Sequence, residues 1–136
     1  MQNKVLVIDD DPEMTDLLSL LLKTNGFEVL SCNCGDEGVQ RARNESPNVI
    51  ILDLMMHDMD GWQVCSAIRK FSSVPILILS ALDNPGTIVS ALDAGADDFL
   101  TKPVSSGLLV SRLKTLTRRV NAQDAGILIP VPHVFI

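Results

Sequence analysis

Val5-Leu6-Val7-Ile8-Asp9-Asp10-Asp11-Pro12 sets four uninterrupted apolar residues directly before three carboxylates and a proline. A short, continuously apolar run is what a strand covered on both faces requires, because neither face meets water. Pro12 suits the first turn of a helix, where its missing N–H leaves no bond unmade. Beyond it, Met14, Leu17, Leu18, Leu21 and Leu22 follow the spacing of a helix burying one stripe, and Gly26 is a stop signal. The stretch therefore reads as strand, acidic loop, helix.

The same alternation continues along the chain. Apolar runs at Phe27 to Cys32, Val49 to Leu52, Ile76 to Leu79 and Phe99 to Thr101 are separated by segments of helical period. With the first run they make five βα units, the pattern of a parallel sheet with helices on its faces. The first, third and fourth runs are apolar throughout and are expected at the centre. Val64, Ala67, Ile68 and Phe71 mark a helix before Pro75. Leu109, Leu113, Leu116 and Val120 mark the final one, with Arg118 and Arg119 favourably placed at its C-terminus. Gly35 to Glu45 and Pro85 to Ala94 read as shorter helices, one of them mobile.

At 136 residues the chain has room for one ordinary core. A content of 46% hydrophobic and 21% charged residues excludes disorder for most of it. The net charge of −6 argues against direct nucleic-acid binding, which needs clustered Lys and Arg. No apolar stretch approaches the roughly 20 residues of a membrane span, and the N-terminus lacks a signal-peptide pattern, so a cytoplasmic location is expected. Cys32, Cys34 and Cys65 lack CxxC spacing and read as small packing residues, the first two on one side of a strand. The domain is expected over residues 1–120. Residues 121–136, where two prolines interrupt an apolar run, read as a tail or truncated linker, or as an arm docking on its own domain or a neighbouring copy.

Open parallel sheets gather functional groups beyond the carboxyl ends of their strands. There the sequence places Asp9, Asp10 and Asp11, then Asp53, Ser80 and Lys102. A single Asp after a strand is usually a helix cap or turn former. Three carboxylates within a few ångströms repel one another by several kcal/mol at intermediate dielectric, so such a cluster implies a compensating cation or chemical step. A small set of oxygen ligands selects Mg²⁺, which keeps waters and shares phosphate oxygens. Asp53, after four apolar residues of a central strand, is the best-placed nucleophile. Lys102 offers a point charge and Ser80 a hydroxyl donor, the positioning and neutralisation that phosphoryl transfer needs.

The segments VLVIDDDP (5–12), ILDLMMHDMDG (51–61), ILILSA (76–81) and GADDFLTKP (95–103) resemble, in order, the receiver domain of two-component response regulators. The resemblance spans about residues 3–120. It implies a flavodoxin-like (βα)5 fold with strand order 2-1-3-4-5 and a cis peptide before Pro103. It implies that Asp53 accepts a phosphoryl group from a sensor histidine kinase. Asp10 and Asp53 would bind Mg²⁺ with the main-chain carbonyl of Met55, Asp9 would act mostly through water, and Lys102 would pair with the phosphorylated aspartate. Ser80 and Phe99 would be the switch residues. No enzymatic turnover is implied beyond slow autodephosphorylation.

The final helix is most similar to receivers of the winged-helix transcription-factor branch, which dimerise through the fourth helix, fifth strand and fifth helix. Ile88, Phe99, Leu108 and Arg112 fall on that output face, with Ile88 and Leu108 standing where the branch usually places an ion pair. A DNA-binding domain in a longer protein would carry the output. His57 replaces a common proline and reads as an exposed loop histidine, against a supporting or gating role at the site. Val104 replaces a common aromatic, and Met55, bulky and apolar, is expected to slow attack of water on the acyl phosphate. Two other functions are weighed. An aspartyl-phosphate phosphatase would need an acid where Met55 stands, and an unphosphorylated interaction module regulated by tail docking would be expected to lose part of the acidic set.

Overall fold

The computed structural model describes residues 2–124, with side chains described through Arg118. Elements alternate along the chain: β1 (Lys4–Ile8), α1 (Pro12–Thr24), β2 (Glu28–Cys32), α2 (Gly35–Glu45), β3 (Val49–Leu52), α3 (Gly61–Arg69), β4 (Ile76–Ser80), α4 (Pro85–Asp93), β5 (Asp98–Thr101) and α5 (Ser106–Asp124). The strands form one parallel sheet in the order β2-β1-β3-β4-β5. This is the expected flavodoxin-like arrangement, with the chain switching direction across the sheet between β1 and β3. The peptide bond between Lys102 and Pro103 is cis.

Strand alternation divides the core in two. Val5, Val7, Val49, Ile51, Leu77 and Leu79 face one way, onto Leu18 and Leu22 of α1 and Leu109, Leu113 and Leu116 of α5. Leu6, Ile8, Ile50, Leu52, Ile76 and Ile78 face the other, onto Ala42 of α2, Val64 and Ile68 of α3 and Ala91 of α4. Full burial of each large aliphatic side chain is worth about 1.5–3 kcal/mol, which is why the apolar runs of β1, β3 and β4 occupy the centre.

Side chains set where the helices begin at the carboxyl edge. Asp11 accepts the Glu13 N–H at the start of α1, Asn84 accepts the Thr87 N–H at the start of α4, and Asp60 with Gln63 forms a reciprocal capping box at α3. Cys34, the residue before α2, makes no such bond.

Three details differ from the sequence reading. Phe27 lies outside β2; its N–H bonds to the Leu22 carbonyl and its ring enters the core. Cys32 ends β2 whereas Cys34 lies beyond it, next to the start of α2, so the two thiols do not share a strand face. Burial pushes the Cys32 thiol up to about 12, with the nearby Glu37 adding to the effect, consistent with an inert packing residue. Helix α5 runs on to Asp124, past the boundary expected at residue 120. Residues 125–136, which hold most of the expected tail or arm, lie outside the described residues.

Candidate functional site

β1 and β3 are neighbours, and their last residues pair as Ile8 with Leu52. That register brings Asp9 and Asp10 beside Asp53, and their carboxylate oxygens lie within 4.8 Å of one another. Asp9 and Asp53 are buried, whereas Asp10 lies toward the rim. Asp11, adjacent in sequence, is turned away and caps α1.

Lys102, at the end of β5, contributes the ammonium. Its Nζ is 3.0 Å from Asp9 Oδ2 and 3.8 Å from Asp53 Oδ2, so it leans toward Asp9 rather than toward the expected acceptor. The main-chain N–H of Asp11 donates to Asp9 Oδ1 at 3.0 Å and that of Met55 to Asp53 Oδ1 at 3.3 Å. Burial raises the Asp53 carboxyl above its ordinary range; Lys102 opposes that shift, while Asp9 and Asp10 add to it. One ammonium thus faces three carboxylates, and every candidate ligand atom is an oxygen. That donor set fits a hard divalent cation sharing a ligand's oxygens.

Ser80 ends β4 with no exposure, and its Oγ accepts the Leu82 N–H at 3.2 Å. Phe99 on β5 is partly buried against the α2–α3–α4 side of the core. On the expected output face, Leu108 is half-buried against the opposite core, Ile88 is half-buried, and Arg112 is engaged within the chain. Arg112 Nη1 lies 2.9 and 2.8 Å from the two Asp98 oxygens.

His57 combines the two roles weighed for it. Its side chain is 98% exposed as expected, yet its ring Nδ1 meets Asp10 Oδ2 and its main-chain N–H donates to the same oxygen at 3.2 Å. Asp58 has a structural role that its sequence position does not announce. Its carboxylate accepts the Gly35 N–H at 3.0 and 2.9 Å and the Asp36 N–H at 3.3 Å, supplying the cap that Cys34 does not. The Gly35 bond chiefly lowers the Asp58 carboxyl below its ordinary range. An acid at the tip of a loop, facing a helix start without its own cap, was the available signal. Asn33 is a second such residue; its Nδ2 donates to the Asp9 carbonyl at 2.8 Å and to Thr15 Oγ1 at 3.1 Å, tying the β2 end to the acidic loop.

Gly61 brings α3 against the end of β3. Its N–H donates to the Leu54 carbonyl at 2.9 Å, and a Cβ there would come within 2.5 Å of the Asp53 carbonyl oxygen. Trp62 follows, half-buried, with its indole Nε1 buried and without a hydrogen-bond partner. Between α1 and the start of α5 lies an apolar groove of about 500 Å³, lined by Met14, Leu17, Leu18, Leu21, Pro103 and Val104 among others. Among the described residues no helix is long and apolar enough to cross a membrane.

Comparison with known proteins follows the same lines. The profile of the response regulator receiver domain matches residues 5–114. The chain is 38% identical over 125 residues to "Probable transcriptional regulator ycf27" of Porphyridium aerugineum, covering 92% of this chain and 52% of that protein. It spans about half the length of the curated relatives it matches. Among solved structures, the receiver domain of the Francisella response regulator 1452 aligns with a TM-score of 0.84 and 33% identity, covering 88% of this chain and 99% of that one. A two-component response regulator from Clostridium difficile aligns with a TM-score of 0.85 and 29% identity, with the same coverage of 88% and 99%.

Proposed function

This chain belongs to the response regulator receiver domain family, and from that premise we propose that it is a phosphorylation-activated switch of a two-component system. Asp53 is the acceptor. One of its carboxylate oxygens attacks the phosphorus of a phosphohistidine on a sensor histidine kinase; the P–O bond forms as the P–N bond breaks, and the released imidazole takes up a proton. The observation that carries this reading is the excess of acid at one sheet edge, where the carboxylates of Asp9, Asp10 and Asp53 lie together and the Lys102 ammonium reaches Asp9 and Asp53.

Asp10 and Asp53, with the main-chain carbonyl of Met55, would hold Mg²⁺, and Asp9 would act through a bound water. When bound, Mg²⁺ neutralises charge on the incoming phosphoryl oxygens. Burial of Asp53 keeps water from the acceptor, and Lys102 is near enough to move from Asp9 to the new phosphoryl group. Ser80, fully buried at the adjacent strand end, retains its O–H as a donor for a phosphoryl oxygen. As Ser80 turns, Phe99 rotates into the space it leaves and remodels the surface of α4, β5 and α5. The chain is a phosphoacceptor and not an enzyme, losing its phosphoryl group only slowly by itself.

The output is transcription in the cytoplasm, through a DNA-binding domain of the winged-helix branch in a longer protein or by association of two copies across α4, β5 and α5. Support comes from the name of the relatives, transcriptional regulators about twice the aligned length. Incubating the chain with Mg²⁺ and acetyl phosphate and reading intact mass tests the core of the proposal. Wild type is expected to gain one phosphoryl group and Asp53→Ala none. No gain in wild type, or an equal gain in the variant, would overturn it.

A further inference from the structure

We propose, resting on the Mg²⁺ assignment above, that His57 is a positioning residue for the cation site and holds the Asp10 carboxylate in its ligating orientation. Residue 57 reaches Asp10 twice, through its main-chain N–H at 3.2 Å and through ring Nδ1, and both contacts fall on Oδ2. Among the described residues Asp10 Oδ1 has no protein hydrogen bond, so the carboxylate is gripped by one oxygen while the other is left for a cation. Packing does not put the ring there: the side chain is 98% exposed, and the Asp10 side chain beneath it is 17% exposed. A ligand carboxylate fixed by a neighbour has less rotamer freedom to lose when the cation binds.

The adjacent residue strengthens the case. Asp58 anchors the same loop to the start of α2 through the N–H groups of Gly35 and Asp36. The loop after Asp53 is therefore fastened at consecutive positions, by His57 to the end of β1 and by Asp58 to α2. Met55, whose main-chain carbonyl is assigned to the cation, lies between the acceptor and these two anchors. Prior ordering of a binding loop raises affinity because less freedom is lost on binding.

A ring that merely blocked the cation would have the opposite effect, and this makes the inference decidable. Calorimetric titration of MgCl2 into the full chain, at one pH, compares wild type with His57→Ala and His57→Gln. Outer-shell partners of metal ligands typically contribute 10–100-fold in affinity, so His57→Ala is expected to bind Mg²⁺ about 10-fold more weakly. His57→Gln, whose amide restores a donor, is expected within about 3-fold of wild type if donation to Asp10 is the cause. Melting temperatures in chelator should lie within a few degrees of one another for all three, since the ring carries no packing and an exposed pair of this kind contributes about 0–1 kcal/mol. Binding by His57→Ala as tight as or tighter than wild type, with wild type binding normally, overturns this inference alone. Absence of Mg²⁺ binding by wild type overturns the cation assignment and the inference with it.

Discussion

Two Asp-Asp pairs stand at opposite edges of the same sheet, and they are treated in opposite ways. Asp97-Asp98 opens β5, and each acid has its own guanidinium. Arg69 Nη2 lies 2.8 Å from Asp97 Oδ2, which also accepts the Ile76 N–H, and Arg112 spans both oxygens of Asp98. Asp9-Asp10 closes β1 and is joined there by Asp53, with one lysine for the group. The first pair is neutralised within the chain and fastens α3 and α5 to the sheet. The second sets three carboxylates against one ammonium, which leaves room for a cation from outside. Identical residue types thus serve structure or function according to whether each acid has a guanidinium of its own or three share one ammonium.

The largest expected effect lies at the neutralised edge. Arg112→Ala leaves Asp98 without its partner, and hydrogen bonds to a charged group of this kind contribute about 1.5–3 kcal/mol, so chemical denaturation should register a loss of about 2 kcal/mol. Stability unchanged by the substitution would show that this pair holds nothing together. At the other edge the sign reverses. Asp10→Asn removes one of three mutually repelling charges, and in chelator the variant should be more stable than wild type by about 1 kcal/mol. A destabilised variant would mean that the cluster is already compensated within the chain.

The smallest effect is a pH trend. Burial holds the folded-state Asp53 carboxyl above its ordinary value of 3.8. The folded chain then binds its proton more tightly than the unfolded one, so the Asp53 contribution to stability is lost as pH rises from about 3.8 through the folded value. Asp58, held below 3.8 by the Gly35 N–H, has the reverse sign and its contribution is lost as pH falls. In chelator, the melting temperature of Asp53→Asn relative to wild type should climb as pH is raised from about 3.8. A difference that stays flat with pH would remove the contrast between the two acids.

How much of this is legible in the sequence depends on how local each signal is. The runs at Val5 to Ile8, Val49 to Leu52 and Ile76 to Leu79 announce buried strands because continuous apolar character is a property of adjacent residues. The meeting of Asp9, Asp10 and Asp53 follows from that topology, since parallel neighbours bring the ends of β1 and β3 together. His57 on Asp10 joins two loops and Asp58 on Gly35 joins a loop to a helix start, 47 and 23 residues apart in the chain, and no periodicity encodes them. Arg112 belongs to the expected output face, but its engagement with Asp98 depends on how α5 lies along β5 and appears only in three dimensions. The Cys32 and Cys34 reading failed for a simpler reason, because the strand ends between them.

Gly61 and Trp62 have a spectroscopic consequence. The chain has no tyrosine and one tryptophan, and that indole follows the glycine whose backbone lies against the Asp53 carbonyl. Its Nε1 is buried without a partner, so its emission should respond to small changes in the dipoles around it. The protein thus carries one tryptophan beside the end of β3, and light alone, with no label attached, can follow events at that strand end in real time.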